Sequence, residues 1–215
     1  MHTFRTFIAI EIPAETRRQI GAYVEQLRAR FPDVRASWSR EDNLHLTLQF
    51  PGDVEVSRIE ALSEACVSAA HQVAPFELLI SGGGTFPPQG KAEVLWIGVR
   101  YAGVPPAASL GPSPSATSAK REAIPTAGED PLLSLQAAIE DACAAVGFAR
   151  EARPYHPHLT IARIREAKES RDLAQHHRQT DFAAKAFVVS EVVLFRSELS
   201  SKGSTHTPLS RCSLR

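Results

Sequence analysis

Two short segments of the chain carry the same unit. "NLHLTLQF" places His-Leu-Thr at residues 45–47, and "YHPHLTIAR" places it again at 158–160. Both lie in apolar stretches with the alternation of a β-strand, where residues two apart point to one face. His45 and Thr47 therefore share a face, while Leu44, Leu46 and Leu48 share the other. His158 and Thr160 stand in the same way over Leu159 and Ile161. A single His-x-Thr in a strand is ordinarily structural, since threonine is a natural strand former. Core packing gives no reason to repeat the polar pair in a matching context.

Two imidazoles that titrate near neutrality can serve as general base and general acid in one turnover, each role typically worth about 10² to 10⁴ in rate. The hydroxyls, helped by a guanidinium, would hold an anion between them. Phosphoryl transfer needs such a set: donors to the equatorial oxygens, a base on the attacking water and an acid on the leaving oxygen. The residues alone leave open which histidine is acid and which is base. Arg163 has the planar fork that suits a phosphate. Under unbroken alternation, however, it falls on the opposite face from His158. It reaches the anion only if the strand twists or ends at Ala162.

The elements that must position these groups follow from periodicity. "TFRTFIAIEI" (3–12) reads as a buried strand ended by Pro13. A helix follows, with Ile20, Val24, Leu27 and Phe31 at helical spacing. "ASWS" is a short strand, "REDN" a turn, and "LHLTLQF" a strand that Pro51-Gly52 stops. Residues 57–73 read as a helix with Ile59, Leu62, Ala65, Cys66 and Ala69 on its apolar face. "FELLIS" and "EVLWIGV" are strands joined by the loop "GGGTFPPQGK". Residues 102–130 are rich in Pro, Ala, Ser and Gly and lack an apolar period, so they read as a flexible insertion. Asp130, with Pro131 behind it, caps a helix that Gly147 ends. Then come the strand "HLTIARI", a polar helix near 168–179, one long strand "KAFVVSEVVLFRSEL" and a last strand near "STHTPLSRCSL". Both halves place a His-x-Thr-x strand after a helix. The expected fold is therefore α+β: duplicated β-α-β lobes related by pseudo-symmetry, their antiparallel sheets facing a central cleft, within a single domain spanning 1–215.

Bulk properties fit this reading. A chain of 215 residues can bury a sizeable core, and 43% hydrophobic with 22% charged residues is ordinary for a globular protein. Lys+Arg and Asp+Glu are both 24, which argues against coating nucleic acid by charge alone and leaves room only for a local basic cleft. Cys66, Cys143 and Cys212 are odd in number and form no Cys-x-x-Cys pair, so a reducing compartment without disulfides is expected. No apolar run nears the length of a membrane span, and the N-terminus lacks a signal-peptide cleavage pattern. A cytoplasmic monomer is the expectation.

Other candidates are weaker. His156 beside His158, and the His176-His177 pair, invite a metal, but no carboxylate lies on a matching face and zinc needs three or four converging ligands. His156 is better suited to orienting the loop before its strand or binding a substrate hydroxyl. "GTFPPQGKA" has five residues between its glycines where a phosphate-binding loop has four, and Ala92 follows the lysine where Ser or Thr is required. Phe86, Trp96 and Trp38 could stack on a base, although core packing is the commoner fate of such rings. Arg5, Arg40, Arg153 and Arg196 could line a basic cleft.

With these residues in view, the chain resembles the two-histidine phosphoesterase superfamily, marked by paired His-x-Thr-x motifs. Within it the chain is similar to the bacterial and archaeal RNA 2′,3′-cyclic phosphodiesterases, earlier described as 2′-5′ RNA ligases. The likeness covers "RTFIAIEIP", "WSREDNLHLTLQFPGDV", "GGGTFPPQGKAEVLWIGV", "RPYHPHLTIAR" and "VSEVVLFRSELSSKGSTHTPL". It implies a bilobal fold, no metal, no cofactor, and hydrolysis of a terminal 2′,3′-cyclic phosphate to a 2′-phosphomonoester. RNA ends, tRNA fragments among them, are the implied partners. By position it makes His45 the proton donor to the leaving 3′ oxygen and His158 the base that activates water. Thr47 and Thr160 would bind the non-bridging oxygens, with Arg163 assisting. The stretch 102–130 departs from the resemblance, being longer and richer in proline than the usual connection. The competing readings are a non-catalytic RNA-end or nucleotide-binding module, and an enzyme acting on small cyclic nucleotides or 2′-5′ linkages.

Overall fold

The computed structural model describes residues 2–103, 130–166, 170–184, 186–200 and 203–215. Most of the Pro-rich stretch, 104–129, lies outside the described residues. In chain order the elements are β1 (Thr3–Glu11), α1 (Ala14–Arg30), β2 (Ala36–Trp38), β3 (His45–Glu55), α2 (Ile59–Ala70), β4 (Phe76–Phe86), β5 (Val94–Tyr101), α3 (Pro131–Ala145), β6 (His158–Ile164), α4 (Ser170–Gln179), β7 (Phe187–Val189), β8 (Glu191–Ser200) and β9 (Gly203–Ser213).

The helices form where the apolar spacing places them. In α1 the buried residues Ile20, Tyr23, Val24 and Leu27 make one stripe. Helix α3 starts at Asp130, whose carboxylate accepts from Leu132 N at 2.9 Å and Leu133 N at 3.4 Å, a cap typically worth about 1 kcal/mol. It ends at Gly147, where φ is 85° and a side chain would be strained.

The strands assemble into two antiparallel sheets, ordered β3-β1-β8-β9 and β2-β6-β5-β4-β7. The α+β class and its two facing sheets are as expected, but the lobes are not successive halves of the chain. The first sheet takes β1 and β3 from one end and β8 and β9 from the other. One apolar core, including Ile8, Ile10, Leu46, Leu62, Leu95, Leu159 and Leu194, runs through both lobes. A smaller cluster of Phe7, Ala9, Val193 and Phe195 covers the opposite face of the first sheet. Strand β1 is thus buried on both sides, which explains its unbroken apolar run.

Three boundaries differ from the sequence reading. Pro51-Gly52 does not stop β3, which continues to Glu55. It is an edge strand, where proline costs no ladder bond, and Gly52 O accepts from Thr6 Oγ1 at 3.2 Å. The glycines of "GGGTF" belong to β4 and not to a loop. A Cβ on Gly84 would come within 2.1 Å of the Trp96 ring, so the strand passes there only without a side chain. The long C-terminal strand breaks at Ser190. β7 pairs with β4 in one sheet and β8 lies between β1 and β9 in the other. No glycine or proline marks that break; it is made by the change of pairing partner.

Candidate active site

Strands β3 and β6 present their motifs to one cleft of about 580 Å³, whose lining includes His45, Thr47, His158, Thr160 and Arg163. All five residues expected at the site line it together. Behind each His-Thr pair sits a buried leucine, Leu46 at 1% exposure and Leu159 at 0%. The two side chains thereby lock the strand faces to the core, each burial worth about 2 kcal/mol.

The motifs share a further irregularity. In the β1–β3 ladder Ala9 faces Thr47 and Ile8 faces Gln49, leaving Leu48 unpaired. In the β5–β6 ladder Trp96 faces Thr160 and Leu95 faces Ala162, leaving Ile161 unpaired. Each threonine is thus followed by a one-residue bulge, and both Leu48-Gln49 and Ile161-Ala162 are buried in succession. A bulge resets the alternation. Arg163 therefore returns to the face of His158, although β6 neither stops at Ala162 nor reverses. The corresponding position after the first motif is Phe50, exposed and capped by the Arg5 guanidinium 5.1 Å from its ring centre.

The histidines are held alike. His45 Nδ1–H donates to the carbonyl of Asn43 at 2.8 Å, and His158 Nδ1–H donates to the carbonyl of His156 at 2.6 Å. Since a carbonyl only accepts, the proton of each neutral ring sits on Nδ1 and Nε2 carries the free lone pair. The threonine backbones are braced across the cleft. Ser39 Oγ, in the approach to the first motif, donates to Thr160 O at 2.7 Å. Tyr155 OH, in the approach to the second, donates to Thr47 O at 3.0 Å.

Aromatic rings crowd both imidazoles. Phe7 stacks on His45 with centroids 4.6 Å apart, and Phe86 meets His158 edge-on at 5.0 Å. Burial is accordingly the main influence on both rings. It pushes His45 down to about 4, with the charge of His206 adding to the depression and the bond to Asn43 O opposing it. Burial lowers His158 as well, the bond to His156 O opposing and the charges of His156 and Arg163 assisting. Both imidazoles therefore favour the neutral form near pH 7. Among the described residues the lining contains no carboxylate, while Arg40 and Arg163 supply positive charge.

Several lining residues had no role in the sequence reading. His206 on β9 stands 5.1 Å from His45, ring centre to ring centre, and 4.8 Å from Phe7. Its own pKa is lowered by burial and by Arg40. Asn43 Nδ2 donates to Ser204 O at 2.9 Å, and the Arg40 guanidinium donates to the same carbonyl, tying the approach to β3 onto β9. Only cross-strand register brings β9 here, so no local signal pointed to His206. Of the four arginines considered for a basic cleft, Arg40 alone lines it. Arg153 pairs with Glu151 and Arg196 with Glu198.

Several other candidates are structural. His177 is fully buried: its Nε2–H donates to Trp96 O at 2.9 Å, so Nδ1 accepts from Tyr23 OH at 2.8 Å. Phe86 and Trp96 pack on each other at 5.4 Å. The three cysteines are buried and free. Among the described residues no three His, Cys, Asp or Glu side chains converge on a metal position, and no helix is long and apolar enough to cross a membrane.

Fold and site together define a two-lobed α+β protein with a cleft between paired imidazole-hydroxyl units, flanked by Arg40 and Arg163. The chain belongs to the 2′-5′ RNA ligase superfamily, whose sequence profile matches residues 16–200. A Geobacillus stearothermophilus protein named RNA 2′,3′-cyclic phosphodiesterase is 29% identical over 193 residues, covering 90% of this chain; the chain spans only 52% of that relative's length. The Escherichia coli protein of the same name is 27% identical over 210 residues, covering 98% of this chain and 96% of its own. The structure of Escherichia coli LigT complexed with 3′-AMP superposes with a TM-score of 0.67 at 26% identity, covering 99% of each chain. TT0787 of Thermus thermophilus, at 22% identity and a TM-score of 0.70 with 98% of each chain covered, shares the fold.

Proposed function

We propose that this protein hydrolyses the 2′,3′-cyclic phosphodiester at RNA ends to a 2′-phosphomonoester, using His45 and His158 as acid and base and no metal. One observation carries the reading: two identical His-x-Thr units, each with its Nδ1 tied to the carbonyl two residues back, open onto one cleft whose described lining holds no carboxylate. The relatives named RNA 2′,3′-cyclic phosphodiesterase support the substrate class, and the 3′-AMP complex of LigT supports a nucleotide as occupant.

In the proposed reaction the phosphate lies between Thr47 and Thr160, whose hydroxyls donate to its non-bridging oxygens, while Arg163 offsets the negative charge. His158 Nε2, with its lone pair free, takes a proton from water as the water oxygen bonds to phosphorus. The bond from phosphorus to the 3′ oxygen breaks, and His45 Nε2 delivers a proton to that oxygen. The direction of the two roles follows the family resemblance. With its pKa pushed down to about 4, His45 is neutral near pH 7, so it must be charged before it can act as an acid. The anion itself provides the cause: a negative phosphate beside a buried imidazole favours the imidazolium. The kcat profile, which reports the complex, should therefore lie at higher pH than that of kcat/KM, which reports the free protein.

The test is incubation of a 2′,3′-cyclic-phosphate oligonucleotide with the protein in EDTA, with the product identified as 2′- or 3′-phosphate. Multiple turnovers yielding 2′-phosphate are expected, with a loss of at least 10² in rate in His45→Ala and in His158→Ala. Stoichiometric binding without turnover would identify a binding module instead. Full activity in both variants would remove the two-histidine mechanism.

A further inference from the structure

Beside the catalytic cleft, around the edge strand β2, lies a second depression of about 810 Å³, bounded by the end of α1, the approach to β2 and the chain just after β6. Ser37 and Trp38 line both spaces, so the two adjoin each other at β2. In the ladder here Ser37 faces Arg163, and Arg165 N donates to Arg35 O at 2.9 Å, extending the pairing beyond the strand. Residues opposite one another in an antiparallel ladder share a face. Ser37, Arg163, Arg35 and Arg165 therefore stand on one surface, and Arg165 Nε donates to Ser37 Oγ at 2.7 Å. Same-face positions along a strand are about 7 Å apart, so Arg163 and Arg165 begin a row of positive charge leading out of the cleft.

Two guanidiniums directly opposite each other repel. Arg35 has Glu166 at 3.0 Å, an exposed pair of little energetic consequence. Among the described residues the Arg165 guanidinium has no carboxylate partner and bonds only to the neutral Ser37 hydroxyl. An anion between them would relieve the repulsion. Half-buried Phe31 and Trp38, also in the lining, add ring surface of the kind on which bases stack.

We propose that this groove binds the nucleotides on the 5′ side of the cyclic-phosphate terminus, Arg35 and Arg165 taking a backbone phosphate and Trp38 and Phe31 offering stacking faces. The inference rests on the reading of the cleft as an RNA-end site. A 2′,3′-cyclic phosphate closes the 3′ end, so a chain seated there can leave only in the 5′ direction, and the charged row gives it one exit. The protein then distinguishes oligonucleotide ends from mononucleoside cyclic phosphates.

The experiment compares kcat/KM on adenosine 2′,3′-cyclic phosphate and on a tetranucleotide with a cyclic-phosphate end, for the wild type and for Arg35→Ala/Arg165→Ala, at several salt concentrations. The wild type should prefer the tetranucleotide at least tenfold. The double variant should lower that preference about tenfold, and its salt dependence on the tetranucleotide should flatten by about 0.7 in log–log slope for each phosphate no longer neutralised. Both arginines are exposed, so the fold should survive; circular dichroism checks this, and Arg35→Glu/Arg165→Glu should enlarge the effect. An equal ratio and slope in wild type and variant would overturn the groove. Absence of turnover on both substrates by the wild type would instead overturn the reading of the cleft. In that case anisotropy of a labelled tetranucleotide with a 2′-phosphate end decides the groove: weaker binding by the variant supports it, equal binding overturns it.

Discussion

Replacing His45 by Asn separates the electrostatics of the cleft from its catalysis. In the folded protein the ring titrates at about 4, against an ordinary 6.5. Between these values the unfolded chain holds a proton on this residue that the folded chain refuses. Unfolding is thus favoured as pH falls through that window, and the stability present above pH 6.5 is progressively lost towards pH 4. A difference of about 2.5 pH units at about 1.4 kcal/mol each gives a loss near 3 kcal/mol. Asparagine keeps a donor close to the Nδ1 position, able to serve Asn43 O, but cannot take up the proton. Urea unfolding at pH 7.5, 6, 5 and 4.2 should therefore show a shallower acid decline in His45→Asn, by about 2 to 3 kcal/mol over the window. Saturating inorganic phosphate should shrink the difference, because a bound anion favours the protonated ring. Parallel declines for wild type and variant would refute the claim that the folded cleft disfavours the charged ring, and with it the argument that His45 gains its proton only with the substrate.

Other expectations follow from the same geometry. Arg163→Ala should lower kcat/KM roughly 10- to 100-fold and weaken inhibition by phosphate, as expected when a charge-assisted bond is removed; steady-state kinetics on a cyclic-phosphate oligonucleotide measures both. Tyr23→Phe removes the donor to His177 Nδ1 and should cost about 1 to 3 kcal/mol in urea unfolding without moving the pH–rate profile. Gly84→Ala drives a methyl group into the Trp96 ring and should destabilise by about 1 to 3 kcal/mol, seen as a fall in Tm by calorimetry. Ser39→Ala and Tyr155→Phe loosen the braces on Thr160 and Thr47. Each should reduce kcat more than it raises KM, and a double-mutant cycle should show them coupled.

Much of the site was legible from the chain alone, because period-two alternation is local. His45 with Thr47, and His158 with Thr160, had to share a strand face once Leu46 and Leu159 were committed to the core. The helices were legible for the same reason, their stripes and the Asp130 cap being contained within a few turns. Tertiary structure decided what local pattern cannot encode. The bulges at Leu48 and Ile161 show only against the partner strand, and the second of them turns Arg163 into the cleft. His206 arrives through the register of β9 on β8, and Ser190 becomes a break because Val189 and Val192 find their burial in different sheets. Burial then set the charge states: both rings are ordinary histidines in sequence, and burial against Phe7 and Phe86 is what lowers their pKa values and strengthens their preference for the neutral form.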